Sequence, residues 1–283
     1  EAASKKHLIT GLTGGARAVF FQHVYEKADK PVYVITSNLL QAQRLIDDLS
    51  MLVGEEEVHY YPADEFVAAN ISFVSPELRA QRIATLGHLA NGTKGIYVIS
   101  VAGLRQYLVQ PAVWRAAVLD VKVSEELDLE AVLQQLLEMG YTRNQMVTAP
   151  GEFAMRGGII DVFPLYIDTP LRIELFDTEV DSIRTFDADT QRSIEKLETV
   201  RILPARELIL NQEDKLKIAN RLETGLANSL KKVKSPEIQE LFLEHIQHDM
   251  ELLKIGDVPD HILKYGQLLF DEPAYLGDYF AKD

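Results

Sequence analysis

The feature that most restricts the fold is an alternation of short apolar runs with helical stretches over the first 112 residues. Residues 7–10, 32–36, 58–61 and 96–100 are brief runs rich in Val, Ile and Tyr, the pattern of buried strands. Helices are predicted between them over 16–27, 39–53 and 76–90. In the second, Leu39, Ala42, Leu45, Ile46, Leu49 and Leu52 recur at helical spacing, and Gly54 stands just past its end. In the third, Ser75 precedes Pro76 and Glu77, an N-cap followed by proline at the first helical position. Strands separated by helices of this length are joined by crossovers into a parallel sheet. Residues 1–112 therefore read as an α/β domain, or its first segment.

From about Val113 the rhythm changes. A helix over 129–139 ends before Gly140, and strands follow over 145–148, 158–163, 171–176, 180–186 and 200–203. Gly, Pro and Asp turns between short strands point to an antiparallel sheet, so residues 113–205 read as a small α+β domain. After Pro204 the pattern is helical again, over 213–233 and 236–254, with a polar turn at 256–259. Internal repeats and low-complexity segments are absent from the sequence.

Charge narrows the partners. The net charge is −14, unevenly spread. Residues 1–112 hold 10 Lys and Arg against 11 Asp and Glu; residues 113–205 hold 9 against 17, and residues 206–283 hold 10 against 15. Binding to phosphates needs the opposite field, so any service to DNA chemistry is expected to run through protein partners. The chain has no cysteine, which excludes a disulfide framework and a Cys-based zinc site and fits a cytoplasmic location. No run of about 18 apolar residues offers a membrane span. The opening Glu1-Ala-Ala-Ser-Lys-Lys6 lacks both an initiator Met and an apolar signal region, as expected of a piece of a longer protein.

Chemistry is expected where the run 7–10 meets Gly11-Leu-Thr-Gly14-Gly15-Ala16-Arg17-Ala18 and a helix, the place of a phosphate-binding P-loop. That loop requires G-x-x-x-x-G-K-[ST]. Gly11 is present, but Ala16 replaces the second glycine and restricts the backbone where phosphate must approach. Arg17 replaces the compact lysine, and Ala18 has no hydroxyl for magnesium. The helix N-terminus still offers some attraction for an anion, but the residues read as a Gly-rich turn without cofactor or catalysis.

Other motifs carry less. Leu268-Leu-Phe-Asp-Glu272 looks like the acidic end of a Walker B strand, yet only three apolar residues precede the acids and Pro273 follows, so a helix-to-turn junction is expected. His245 and His248 are separated by two residues on a predicted helix, with no acidic base between them and no third ligand nearby. They read as surface or interface histidines, and no metal site is expected.

Leu171-Arg-Ile-Glu-Leu-Phe176 alternates with period two. Leu171, Ile173 and Leu175 share one face and Arg172, Glu174 and Phe176 the other. An aromatic beside arginine on a polar face is the composition of an interface anchor. Arg156 stands before Gly157-Gly158, where small neighbours leave it accessible. Single exposed Phe and Arg residues are common, and Arg172 with Glu174 is also readable as an ordinary surface pair, so the residues by themselves leave both readings open.

Several stretches carry a resemblance: residues 8–18, His59-Tyr-Tyr-Pro-Ala-Asp-Glu65, Ser75-Pro-Glu-Leu-Arg79, residues 149–164, Arg172-Ile-Glu-Leu-Phe-Asp177, Asp181-Ser-Ile-Arg-Thr-Phe-Asp187 and Gln191-Arg192. They resemble the N-terminal region of transcription-repair coupling factors of Gram-positive type (Mfd), itself similar to the first domains of the excinuclease protein UvrB. The resemblance covers nearly the whole chain and is sharpest over 149–207. It implies a degenerate P-loop, helicase-like parallel-sheet domain over 1–112, an inserted α+β domain over 113–205 and a helical return segment over 206–283 that packs on the first domain. It also implies a non-catalytic docking module that recruits the excinuclease protein UvrA through residues 113–205, with Arg156, Arg172 and Phe176 at the matching contact positions and Arg184 as a weaker fourth. ATP and Mg belong, on this reading, to a translocase motor elsewhere in the longer protein, as do the contacts with RNA polymerase and DNA. The family further suggests that a C-terminal domain masks the docking face until the protein rearranges.

Two departures separate the chain from UvrB itself: the degenerate loop, and a short segment 63–74 in place of a Tyr-rich hairpin that wedges into damaged DNA. Two alternatives stay open, a fragment of an active UvrB-like helicase that binds ATP and damaged DNA, and a purely structural clamp on another part of its own chain.

Overall fold

The computed structural model describes residues 6–63, 75–230, 235–259 and 262–280; the expected short segment 63–74 lies almost wholly outside the described residues. The fold is mixed α/β, with one parallel sheet and a larger mainly antiparallel one. The first elements are α1 (Ala16–Lys27), β1 (Val32–Thr36), α2 (Leu39–Val53), β2 (Val58–Tyr61), α3 (Pro76–Ala90) and β3 (Ile96–Ser100). The three strands pair in parallel in the order β1-β3-β2, as their helical crossovers require. Central β3 is buried at all five positions, which is why its sequence is an unbroken apolar run. Asn38 caps α2, its side chain accepting a hydrogen bond from the Gln41 amide at 3.0 Å. Gly54 ends the helix at φ 98°, a conformation L side chains rarely adopt.

The expected strand over 7–10 does not form. A strand exists only where a neighbour takes up its hydrogen bonds, and none lies alongside among the described residues, so Leu8 is 91% exposed and Ile9 50%.

The chain continues through α4 (Val101–Leu104), β4 (Tyr107–Leu108), α5 (Pro111–Ala117), β5 (Leu119–Lys122), α6 (Leu129–Glu138), β6 (Thr142–Arg143), β7 (Glu152–Arg156), β8 (Ile159–Val162), β9 (Leu171–Phe176), β10 (Glu179–Phe186), β11 (Ser193–Leu197) and β12 (Thr199–Ile202). Strands β6 to β11 form the six-stranded sheet in chain order, antiparallel except for β6 with β7, and β5 pairs with β12 apart from it. The expected strand over 145–148 is absent because Glu152 takes the backbone. Its carboxylate accepts the Thr148 and Ala149 amides at 2.8 and 2.9 Å, leaving those donors unavailable to a ladder.

Helix α7 (Gln212–Leu230), helix α8 (Pro236–Lys254) and β13 (Ala274–Tyr275) complete the chain; β13 pairs back to β4. Residues 268–272 are the end of a 3-10 segment and a bend, the junction expected there. One core draws on both ends of the chain, joining Ile83, Leu86 and Trp114 to Ile218, Leu222, Leu253 and Leu276. A second lies under one face of the six-stranded sheet, where Phe153, Ile160, Val162, Ile173 and Ile183 meet Val132 and Leu136 of α6. That packing leaves the sheet's other face to the remaining side chains of β7–β10. Among the described residues no helix is long and apolar enough to cross a membrane.

Candidate functional site

The outer face of the six-stranded sheet gathers the charged residues singled out in the sequence. Residues directly opposite in neighbouring strands share a face, so the register sets who meets whom. Ala154, Asp161, Arg172 and Arg184 form one row across β7, β8, β9 and β10; Arg156, Ile159, Glu174 and Ser182 form the next. Phe176 follows at the end of β9. The expected inward set is buried, Leu171 and Ile173 fully and Leu175 in part.

Arg172 does not pair with Glu174. Its Nε donates to Asp161 Oδ1 at 2.6 Å and its Nη2 to Oδ2 at 2.8 Å, a forked contact with a carboxylate that is 1% exposed. Nη2 also donates to Gln191 Oε1 at 3.0 Å, and the guanidinium lies 4.3 Å from the centre of the Phe186 ring. The hydrogen bond to Asp161 raises the Arg172 pKa, so this group stays charged. Arg172 is thus set into the sheet, its side chain only 16% exposed, rather than forming a surface pair with Glu174.

Arg156 shares the same carboxylate less tightly, donating from Nη2 to Asp161 Oδ2 at 3.2 Å with a side chain 53% exposed. It stands at the hairpin Gly157-Gly158, where Gly157 has φ 61° and a Cβ on Gly158 would lie 2.8 Å from the Leu175 carbonyl oxygen. Phe176 is 81% exposed; Asp177, at φ 59°, turns the chain at once into β10 and leaves the ring at the tip. Arg184 pairs with Glu174 and also donates to Ser193 Oγ at 3.3 Å, so it is held within the sheet. The face therefore joins four candidates, two of them, Arg156 and Phe176, directed to solvent. Asp161 and Gln191, which join them, were not singled out from the sequence. The available signal was an acid inside the apolar run Ile159-Ile-Asp-Val-Phe163, and a buried acid implies a cationic partner.

The degenerate loop has a different character. Gly11 and Gly14 take positive φ, 83° and 52°, and Arg17 Nε donates to the Leu12 carbonyl at 3.2 Å. Gly15 and Ala16 open α1, and Ala18 is 1% exposed in a core with Tyr25, Val34 and Ala42. The position that carries a magnesium-binding hydroxyl in a P-loop thus serves packing here. His245 and His248 are both exposed on α8.

Residues 119–208, which include the whole six-stranded sheet, match the family described as the UvrB interaction domain. The chain is 43% identical over 275 residues to the transcription-repair-coupling factor of Bacillus subtilis (strain 168), covering 97% of this chain and 23% of that protein. It is 36% identical over 280 residues to the transcription-repair-coupling factor of Staphylococcus aureus (strain MRSA252), covering 98% of this chain and 24% of the relative. The counterpart in Staphylococcus haemolyticus (strain JCSC1435) is 35% identical over the same length. The chain spans about a quarter of the length of these relatives. Residues 119–208 thus match the UvrB interaction domain, within a chain that is similar over nearly its whole length to part of the transcription-repair-coupling factors.

Proposed function

We propose that this chain is a non-catalytic docking module that recruits the excinuclease protein UvrA to stalled RNA polymerase during transcription-coupled nucleotide excision repair. The observation that carries the reading is an exposed Phe176 on the same sheet face as two arginines that share one buried carboxylate, within the residues that match the UvrB interaction domain. Arginine forks bind partner carboxylates, and a protruding ring supplies desolvated area, the composition of a binding hot spot. Arg156, Arg172 and Phe176 are the contact residues on this reading, with Arg184 supporting.

The parallel-sheet part is read as a degenerate P-loop scaffold, formed by 1–112 and the return segment 206–283, into which 113–205 is inserted. Ala18 packed in a core supports the absence of a nucleotide cofactor from this part. The longer protein is read as a cytoplasmic ATP-dependent DNA translocase whose motor holds ATP and Mg and whose other parts meet RNA polymerase and DNA. A C-terminal domain masks the docking face until rearrangement.

Calorimetry of the chain with purified UvrA, beside the triple variant Arg156→Ala, Arg172→Ala, Phe176→Ala checked for folding by circular dichroism, tests the proposal. Heat of binding that vanishes in a folded variant supports it; no binding by the unsubstituted chain sinks it. ATP that shifts the melting temperature of the chain would instead favour an active UvrB-like fragment.

A further inference from the structure

The outer face carries more than contact residues. Resting on the docking reading above, we propose that Asp161 and Gln191 are positioning residues of that face, and that together they set it for an acidic side chain of the partner.

The two arginines are held unequally. Arg172 is held by three neighbours: the fork to Asp161, the side-chain amide oxygen of Gln191 and the ring of Phe186 beneath it. Gln191 is itself held in place, at φ 59°, by a bond from its Nε2 to the Ala188 carbonyl at 2.8 Å and from its backbone amide to the Asp187 carbonyl at 2.8 Å. Asp187 in turn accepts the Thr190 amide at 2.7 Å, which closes the loop that delivers Gln191. Arg156 keeps one longer bond and half its surface in water, so it is the guanidinium with more donors left to give.

The charge balance follows. One carboxylate faces two guanidiniums, while Glu174 and Arg184 neutralise each other, so these five side chains together carry one positive charge in excess. The surrounding segment 113–205 is acidic, with 9 basic against 17 acidic residues. An acidic partner group is therefore repelled by most of this domain and drawn to Arg156, which fixes the register of docking. Rigid placement of Arg172 before binding removes the ordering cost that a free arginine incurs on association.

The test uses association and dissociation rates of the chain with purified UvrA. Asp161→Asn keeps the size of the side chain but loses the charge. It is expected to weaken binding about tenfold, through faster dissociation, with association no slower. If Asp161 served only to neutralise charge, its removal would tighten binding; unchanged or tighter binding overturns the inference. In an Arg172→Ala background the same change is expected to add less than about twofold, and a full additional loss overturns the inference. Gln191→Ala, a change at a loop side chain, is expected to speed dissociation about threefold, and it carries the test should Asp161→Asn fail to fold; an unchanged rate overturns the inference. Binding that is lost in Phe176→Ala but indifferent to Asp161→Asn and Gln191→Ala overturns this inference alone. No binding by the unsubstituted chain overturns the docking reading and this inference together.

Discussion

Arg82 on α3 and Glu207 beyond β12 stand 125 residues apart in the chain and meet as an ion pair with both side chains almost sealed from water. The pair ties the parallel-sheet part to the segment leading into α7. Removing Glu207 takes this contact from a buried charge, so Glu207→Ala is expected to cost about 1–3 kcal/mol in urea unfolding. Replacing both by apolar residues, Arg82→Met with Glu207→Leu, is expected to cost less than the single change. A double variant weaker than Glu207→Ala would show that the pair contributes net stability.

Phe176 offers the opposite case. Because its ring is 81% exposed, Phe176→Ala is expected to leave stability within about 0.5 kcal/mol of the parent while lowering affinity for UvrA about tenfold or more. Equilibrium unfolding beside calorimetry separates the two effects. A loss of stability matching the loss of binding would place the ring in the fold rather than at an interface.

Two glycines are expected to part company on substitution. A Cβ at Gly158 meets the Leu175 backbone oxygen, which cannot move without disturbing the pairing of β8 with β9. Gly158→Ala is therefore expected to cost about 1–3 kcal/mol. Gly15 has helical φ of −63° and nothing within 4 Å of a Cβ, so Gly15→Ala is expected to change stability by no more than about 0.5 kcal/mol, or to raise it. Thermal melts of the two variants check both, and equal destabilisation would contradict the packing described.

Acid is expected to weaken the fold through His59. Its ring stacks on His88 at 4.2 Å and lies 4.9 Å from Tyr97. Burial, with a smaller push from His88 and an opposing pull from Glu57, lowers its pKa from 6.5 to about 4. Burial lowers His88 as well. The unfolded chain then binds more protons than the folded one between those values. The stability is fully present above about pH 6.5 and is lost as pH falls towards 4. His59→Phe keeps a ring in the stack and removes one titrating group, so its melting temperature is expected to fall less steeply between pH 7 and 4.5. Parallel pH profiles for the two proteins would remove His59 from the account.

Much of the fold was legible because it is locally encoded. The runs 32–36, 58–61, 96–100 and 171–176 are strands at those bounds, and the helices over 16–27, 39–53 and 76–90 match as closely, since periodicity, caps and proline act within a few residues. The misses are not local. Residues 7–10 have strand composition but no neighbour among the described residues, and at the end of 145–148 the amides of Thr148 and the following Ala149 go to Glu152. Strand β11, Ser193–Leu197, has no sequence signature because four of its five residues are exposed and its composition is largely polar.

The candidate site divides in the same way. Period-two alternation determined by itself that Arg172, Glu174 and Phe176 share a face of β9 and that Leu171, Ile173 and Leu175 turn inward. The loop residues Ala16, Arg17 and Ala18 likewise announced, without coordinates, that the P-loop pattern was missing. Only the tertiary structure decided that Arg172 is bound to Asp161 rather than exposed beside Glu174, that Arg156 shares the same carboxylate, and that Gln191 closes the group. Those contacts depend on the register of β8 against β9 and on where the loop before β11 returns. Register is settled by which faces bury together across the whole sheet, a cooperative choice that no single strand contains.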